Sequence, residues 1–225
     1  MNAYVTGLAA RQTPVFAAPD PETAPERPLS RAEAYVRAHR FERPTLVIDT
    51  QTVARHYAAL AQGLGRARIH YAVKANPAPE ILRTLTRLGS NFDAASRTEI
   101  AMCLAAGASA DRISFGNTVK KVSDVAWAHA QGVTLFAADA EQELEKIAEH
   151  APGARVYIRV IVENTEADWP LTRKFGCSRD KVLHLFTAAR QLGLAPVGLS
   201  FHVGSQTRRA AMWAVNQKDF LQGVI

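Results

Sequence analysis

"HYAVKANPAPEILRTLTRLGSNFDAAS", His70 to Ser96, packs a strand, a helix and a second strand into one short stretch. Ile69, Tyr71 and Val73 form a β-branched and aromatic run that reads as one buried strand. Asn76, Pro77 and Pro79 cannot extend a ladder, and Pro79-Glu80 suits the first turn of the helix "PEILRTLTRLG". "SNFDAAS" is then the next strand, and a helix of this length between two strands carries the chain back to start a parallel neighbour. The stretch makes Lys74 the last residue of its strand, at the rim of a sheet. Two readings of that lysine stand: a solvated strand end, or a half-buried amine kept neutral enough by desolvation to form a Schiff base.

Outward from this unit the pattern repeats. Strand-like runs occur at "RISFGN", "VTLFAAD", "RVYIRVIV" and "VGLSFHVGS", separated by the amphipathic "RTEIAMCLAAGA", "KVSDVAWAHAQG", "AEQELEKIAEHA" and "RDKVLHLFTAARQLG". This is a parallel α/β domain with strands buried on both faces. A doubly wound sheet and a (β/α)8 barrel share the rhythm. No Gly-rich dinucleotide fingerprint follows a strand, which counts against the former. Lys74, Asp93, Ser96, Asn117, Asp139, Arg159 and His202 all fall at or just past C-terminal strand ends, where a barrel carries its site.

Upstream, "TLVIDT" after Pro44 is β-like, "QTVARHYAALAQGLG" has helical spacing of Val53, Tyr57, Leu60 and Leu64, and "SRAEAYVRAHR" is helical. Residues 1–28, rich in Pro and Ala, read as a flexible leader, and 29–225 as one domain. The 225 residues are 48% hydrophobic and 21% charged, ordinary for a globular protein able to bury a core. The formal charge of +6 is scattered among acids, not gathered into an aromatic-laced stripe, which argues against nucleic acid as a partner. Neither a membrane span nor a secretory signal is indicated, so the expected location is cytoplasmic. Cys103 and Cys177 have no metal-like spacing, no metal is expected, and Cys103 reads as a buried thiol.

Several of the polar residues have purely structural readings. Ser96 and Glu99 make a Ser-x-x-Glu capping box, and Asp139 is placed to cap a helix beginning at Ala140. Arg159, between Ile158 and Val160, requires an anionic partner in any case. His202 reads either as a satisfied core histidine or as a site residue.

In order along the chain, "YAVKANP", "FDAASRTEI", "FGNTVK", "RKFG" and "SFHVGSQ" resemble the motifs of the fold-type III pyridoxal-phosphate decarboxylases, the group holding the ornithine and diaminopimelate decarboxylases. The resemblance runs from about Arg43 to Gln206. It implies a (β/α)8 TIM-type barrel of the alanine racemase-like kind, pyridoxal 5′-phosphate as cofactor and a homodimer. "GLSFHVGS" and "WPLTRKFGC" resemble the ornithine or lysine/ornithine branch more than the diaminopimelate branch. On this resemblance Lys74 is the lysine that binds the cofactor covalently, and Asp93 and Glu99 are the acids that place and protonate that link. Arg159 pairs with Asp93 and the cofactor's phenolic oxygen side, His202 stacks on the pyridine face, and Ser205 donates to the phosphate. Lys174 falls at the subunit interface. The implied reaction turns L-ornithine or L-lysine into putrescine or cadaverine in polyamine biosynthesis, with the cofactor as electron sink. The two substrates differ by one methylene, worth only ~1–3 kcal/mol in a pocket. The alternatives are diaminopimelate decarboxylation in lysine biosynthesis and a non-catalytic relative that binds a regulatory partner.

About six strands are legible where a closed barrel takes about eight. The expected architecture is therefore an incomplete barrel without the family's C-terminal β-domain. With it would be absent the acid on the pyridine nitrogen, the Gly-rich phosphate loop and the partner subunit's contribution. Such a chain is expected to leave two sheet edges open and to be poorly soluble alone.

Overall fold

The structure, a computed structural model, describes residues 28–161 and 175–203; residues 1–27 of the expected leader, 162–174 with Lys174, and 204–225 with Ser205 lie outside the described residues. Contacts group Met1–Asp49 and Thr50–Ile225 as two units. In the first, α1 (Arg31–Ala38) begins at a capping box: Ser30 Oγ accepts the Glu33 N–H at 3.2 Å, and the Glu33 carboxylate accepts the Ser30 N–H at 2.8 Å. "TLVIDT" forms no strand, contrary to its β-branched content. Among the described residues no strand pairs with it, and a β-run gains its ladder only from a neighbour.

The second unit alternates as the sequence predicts: α2 (Thr50–Leu64), β1 (His70–Ala72), α3 (Pro79–Arg87), β2 (Asn91–Ala94), α4 (Arg97–Ala105) and β3 (Ile113–Phe115). It continues through α5 (Val122–Ala130), β4 (Leu135–Ala138), α6 (Glu141–His150), β5 (Arg155–Arg159), α7 (Val182–Gln191) and β6 (Ala195–Ser200). The strands form one parallel sheet in the order β1-β2-β3-β4-β5-β6. A doubly wound sheet reverses at a switch point. An unbroken sequential order is instead that of a (β/α)8 barrel wall.

Register decides what each face of the wall carries. Ala72 lies opposite Asp93, Asp93 opposite Ser114 and Ser114 opposite Leu135; further on, Ala137 lies opposite Tyr157 and Arg159 opposite Ser200. Because strand side chains alternate, the intervening Phe92, Phe115, Phe136, Val156 and Ile158 point the other way. These pack with Leu82, Ile100, Val125, Leu144 and Leu185 of the helices into one buried core. Each fully buried large side chain there contributes about 1.5–3 kcal/mol.

Two local differences from expectation place the site. β1 ends at Ala72, and Val73–Ala75 make a single 3-10 turn, so Lys74 sits just past its strand and is not its last residue. The turn is fixed by Tyr71, whose hydroxyl donates to the Asn76 carbonyl at 3.1 Å, and by Asn76 Oδ1, which accepts the Ala78 N–H at 3.0 Å. β6 starts at Ala195 and includes Pro196, which brings no N–H to the ladder; the register shifts there, leaving Val197 unpaired. Ser200 thereby ends the strand beside Arg159, and His202 follows two residues later.

Candidate functional site

At the C-terminal ends of the strands lies an open cavity of about 710 Å³, bounded among others by Lys74, Asp93, Tyr157, Arg159, Phe175 and His202. Its size suits a small organic ligand. Asp93, on β2, accepts a hydrogen bond from Ser114 Oγ on β3 at 3.0 Å. Burial pushes the Asp93 carboxyl above the ordinary carboxylate range, against the Ser114 hydrogen bond and the positive fields of His70 and Lys74. The close approach depends on Gly116, where a Cβ would lie 1.9 Å from Asp93 Oδ1.

Tyr157 rises from β5 on the same face. Burial first, then the nearby Asp93, push its phenol above the usual range, so it remains a protonated donor. Two residues on, the Arg159 guanidinium carbon lies 5.3 Å from the centre of the Phe175 ring. Burial pushes the Arg159 pKa down, and Asp139, Tyr157 and Asp93 act in the other direction. Asp139 thus acts on Arg159 more strongly than Asp93, the partner that the family resemblance implies. His202 is half-buried; burial, Arg159 and Lys74 together push its pKa down, which favours a neutral ring.

Lys74 borders the cavity and is exposed, standing on the 3-10 turn clear of the strand; of the two readings of this lysine, its exposure matches the solvated one. Glu99 does not border the cavity. Ser96 Oγ accepts the Glu99 N–H at 3.2 Å, and Glu99 Oε2 accepts the Ala95 N–H at 2.7 Å, so the pair start α4 as a capping arrangement. Asp139 does not cap α6, whose N-cap is Ala140 with no side-chain bond; Asp139 Oδ2 instead accepts the Gly176 N–H at 2.7 Å. Asn117 borders the cavity, and its carbonyl accepts from Lys120 Nζ at 3.0 Å. Ser205 and Lys174 fall outside the described residues.

Sequence reasoning passed over His70, Ser114, Gly116 and Tyr157, all of which border the cavity. The signal was available in the strand period: once Asp93 is taken as inward, residues in register with it or two apart share its face. It also passed over Lys120, whose side chain is fully buried and whose ammonium contacts Glu143 Oε1 at 2.9 Å and the Ala137 carbonyl at 2.6 Å.

An amine at the cavity rim, a guanidinium, a half-buried imidazole and a half-buried acid around one opening suit a flat, anionic carbonyl compound. The residues present therefore fit pyridoxal phosphate. Comparison with known proteins gives the family directly. The pyridoxal-binding domain of the pyridoxal-dependent decarboxylases matches residues 50–222. The lysine/ornithine decarboxylase of Selenomonas ruminantium is 37% identical over 185 residues, 82% of this chain and 47% of that protein. The ornithine decarboxylase of Leishmania donovani is 39% identical over 170 residues, 75% of this chain and 24% of that protein. Among solved structures, the arginine decarboxylase of Paramecium bursaria Chlorella virus superposes with a TM-score of 0.74 at 32% identity, covering 77% of this chain and 47% of that one.

Fold and cavity thus define a barrel protein with an amine-bearing ligand site. The chain belongs to the pyridoxal-dependent decarboxylases, a family whose cofactor is pyridoxal 5′-phosphate. It spans less than half the length of these curated relatives.

Proposed function

We propose that this protein decarboxylates L-ornithine or L-lysine to putrescine or cadaverine, as a cytoplasmic homodimer in polyamine biosynthesis, with pyridoxal phosphate held in the cavity. The observation that carries the reading is the meeting of Lys74, Asp93, Arg159 and His202 on one opening. The relatives, named for lysine, ornithine and arginine, support a basic amino acid and do not favour diaminopimelate.

When bound, the cofactor supplies a conjugated electron sink for the substrate's α-carbon. Lys74 would hold it through the side-chain amine. Arg159, at the cavity wall, would pair with its anionic oxygens, and Ser205 is proposed as a further donor. His202, its pKa pushed down by its surroundings, would cover a flat ring without adding charge. Asp93, with Oδ1 taken by Ser114, retains a proton to higher pH than an ordinary carboxyl and can hold it in the cavity that Lys74 also borders.

The test is CO2 release from L-ornithine, L-lysine, L-arginine and meso-diaminopimelate in the presence of the cofactor. Release from ornithine or lysine, lost in Lys74→Ala, is expected. Release from diaminopimelate alone, or from none of the four, overturns the reading.

A further inference from the structure

The segment Phe175–Cys177 returns to the end of β5 and is pinned there by its backbone. The Cys177 N–H donates to the Arg159 carbonyl at 2.9 Å, the Ile161 N–H donates to the Cys177 carbonyl at 2.9 Å, and Val160 and Cys177 form a parallel bridge. Between them Gly176 adopts φ +105°, and a Cβ there would lie 2.9 Å from the Ile161 nitrogen. Only glycine lets the strap lie this close. One side chain from another strand end reaches it: Asp139, after β4, accepts the Gly176 N–H at 2.7 Å. The neighbouring Phe175 presents its ring to the Arg159 guanidinium at 5.3 Å, within cation–π range. Asp139 itself does not border the cavity.

We propose that Asp139 is a positioning residue: by holding Gly176 it fixes the strap, and the strap with Asp139's charge fixes the Arg159 guanidinium in the cavity wall, ready for an anionic group of the ligand. The inference rests on the cofactor reading above for its ligand, but not for its geometry. Arg159 is partly removed from water, and a guanidinium so placed stays oriented only if its surroundings supply negative charge and packing. Asp139 supplies the charge through its field at Arg159 and the packing through its bond to Gly176, next to Phe175.

The test compares the intact chain with Asp139→Asn and Asp139→Ala. Asparagine keeps an acceptor for the Gly176 N–H and loses the charge; alanine loses both. Hydrogen exchange of the 175–178 backbone, followed without cofactor, should stay slow in Asp139→Asn and quicken on the order of tenfold in Asp139→Ala. Equilibrium binding of pyridoxal phosphate, followed by its absorbance, should weaken about tenfold or more in both variants. Thermal midpoints of Asp139→Asn, Arg159→Met and the double variant should be non-additive. Unchanged exchange in Asp139→Ala, wild-type binding in Asp139→Asn, or strictly additive midpoints each overturn the proposal. Failure of the wild-type chain to bind the cofactor counts instead against the cofactor reading. The exchange and additivity results then decide the role of Asp139 by themselves.

Discussion

A carboxyl group enclosed by Ser114 and Gly116 is costly to ionise, and folding has to meet that cost. For Asp93 the folded pKa lies above the ordinary 3.8, with burial as the leading cause. Between the two values the folded chain holds a proton that the unfolded chain has released, so stability falls as pH rises through that window and stays lowered above it. Asp93→Asn removes the ionisation. Its thermal midpoint at pH 7 should rise relative to wild type, and the loss of stability on moving up from pH 4 should be shallower; parallel pH profiles would contradict the account. Arg159 was legible in the sequence because a charge inside an apolar strand demands a partner or a ligand to offset its desolvation, and Asp93 because it falls at a strand end within a family motif. Ser114 and Tyr157 were not, because serine and tyrosine are unremarkable in strands until register aligns them with Asp93. Ser205 matched a motif, but lies outside the described residues.

Between elements, a buried polar network joins the β3 loop to α6. Lys120 Nζ meets Glu143 Oε1, the Ala137 carbonyl and the Asn117 carbonyl, which together occupy the three donors of an ammonium. Lys146 Nζ closes the network on Glu143 Oε2 at 2.5 Å and on the Lys120 carbonyl at 2.6 Å. Removing one partner of a buried pair strands the other, at about 3–5 kcal/mol. Lys120→Ala should therefore lose stability on that scale in denaturant titration, while Lys120→Met with Glu143→Leu should recover much of it. A single variant as stable as wild type would show the network to be dispensable. The alternation of strands and helices was readable from hydrophobic period, because each helix needs an apolar stripe and each inner strand an apolar run. What period could not supply was competition from distant partners. Asp139 has the identity and position of a cap, but the Gly176 N–H, 37 residues away in sequence, takes its carboxylate. "TLVIDT" has the composition of a strand without a neighbour to pair with among the described residues.

At the scale of the molecule, one wall of six parallel strands separates an apolar helical side from a polar cavity side. The strand-helix rhythm is shared with a doubly wound sheet, so barrel order was legible only from the polar residues at the strand ends, the missing dinucleotide fingerprint and the family resemblance. The core side has a direct reporter in Cys103, fully buried, with burial pushing its thiol up to about 12. A thiol reagent at pH 8 should leave Cys103 unlabelled in the native chain and modify it in denaturant, with a midpoint matching the loss of helical signal. Rapid native labelling would contradict a packed helical layer over β2 and β3. The cavity side has its own reporter in Lys74. The most direct measurement is borohydride reduction of the chain with bound pyridoxal phosphate, followed by mapping of the modified peptide by mass spectrometry. The account predicts modification at Lys74, with the buried Lys120, the half-buried Lys146 and the exposed Lys121 unmodified. Modification spread over surface lysines, or absent from Lys74, would contradict the claim that this cavity is the cofactor site.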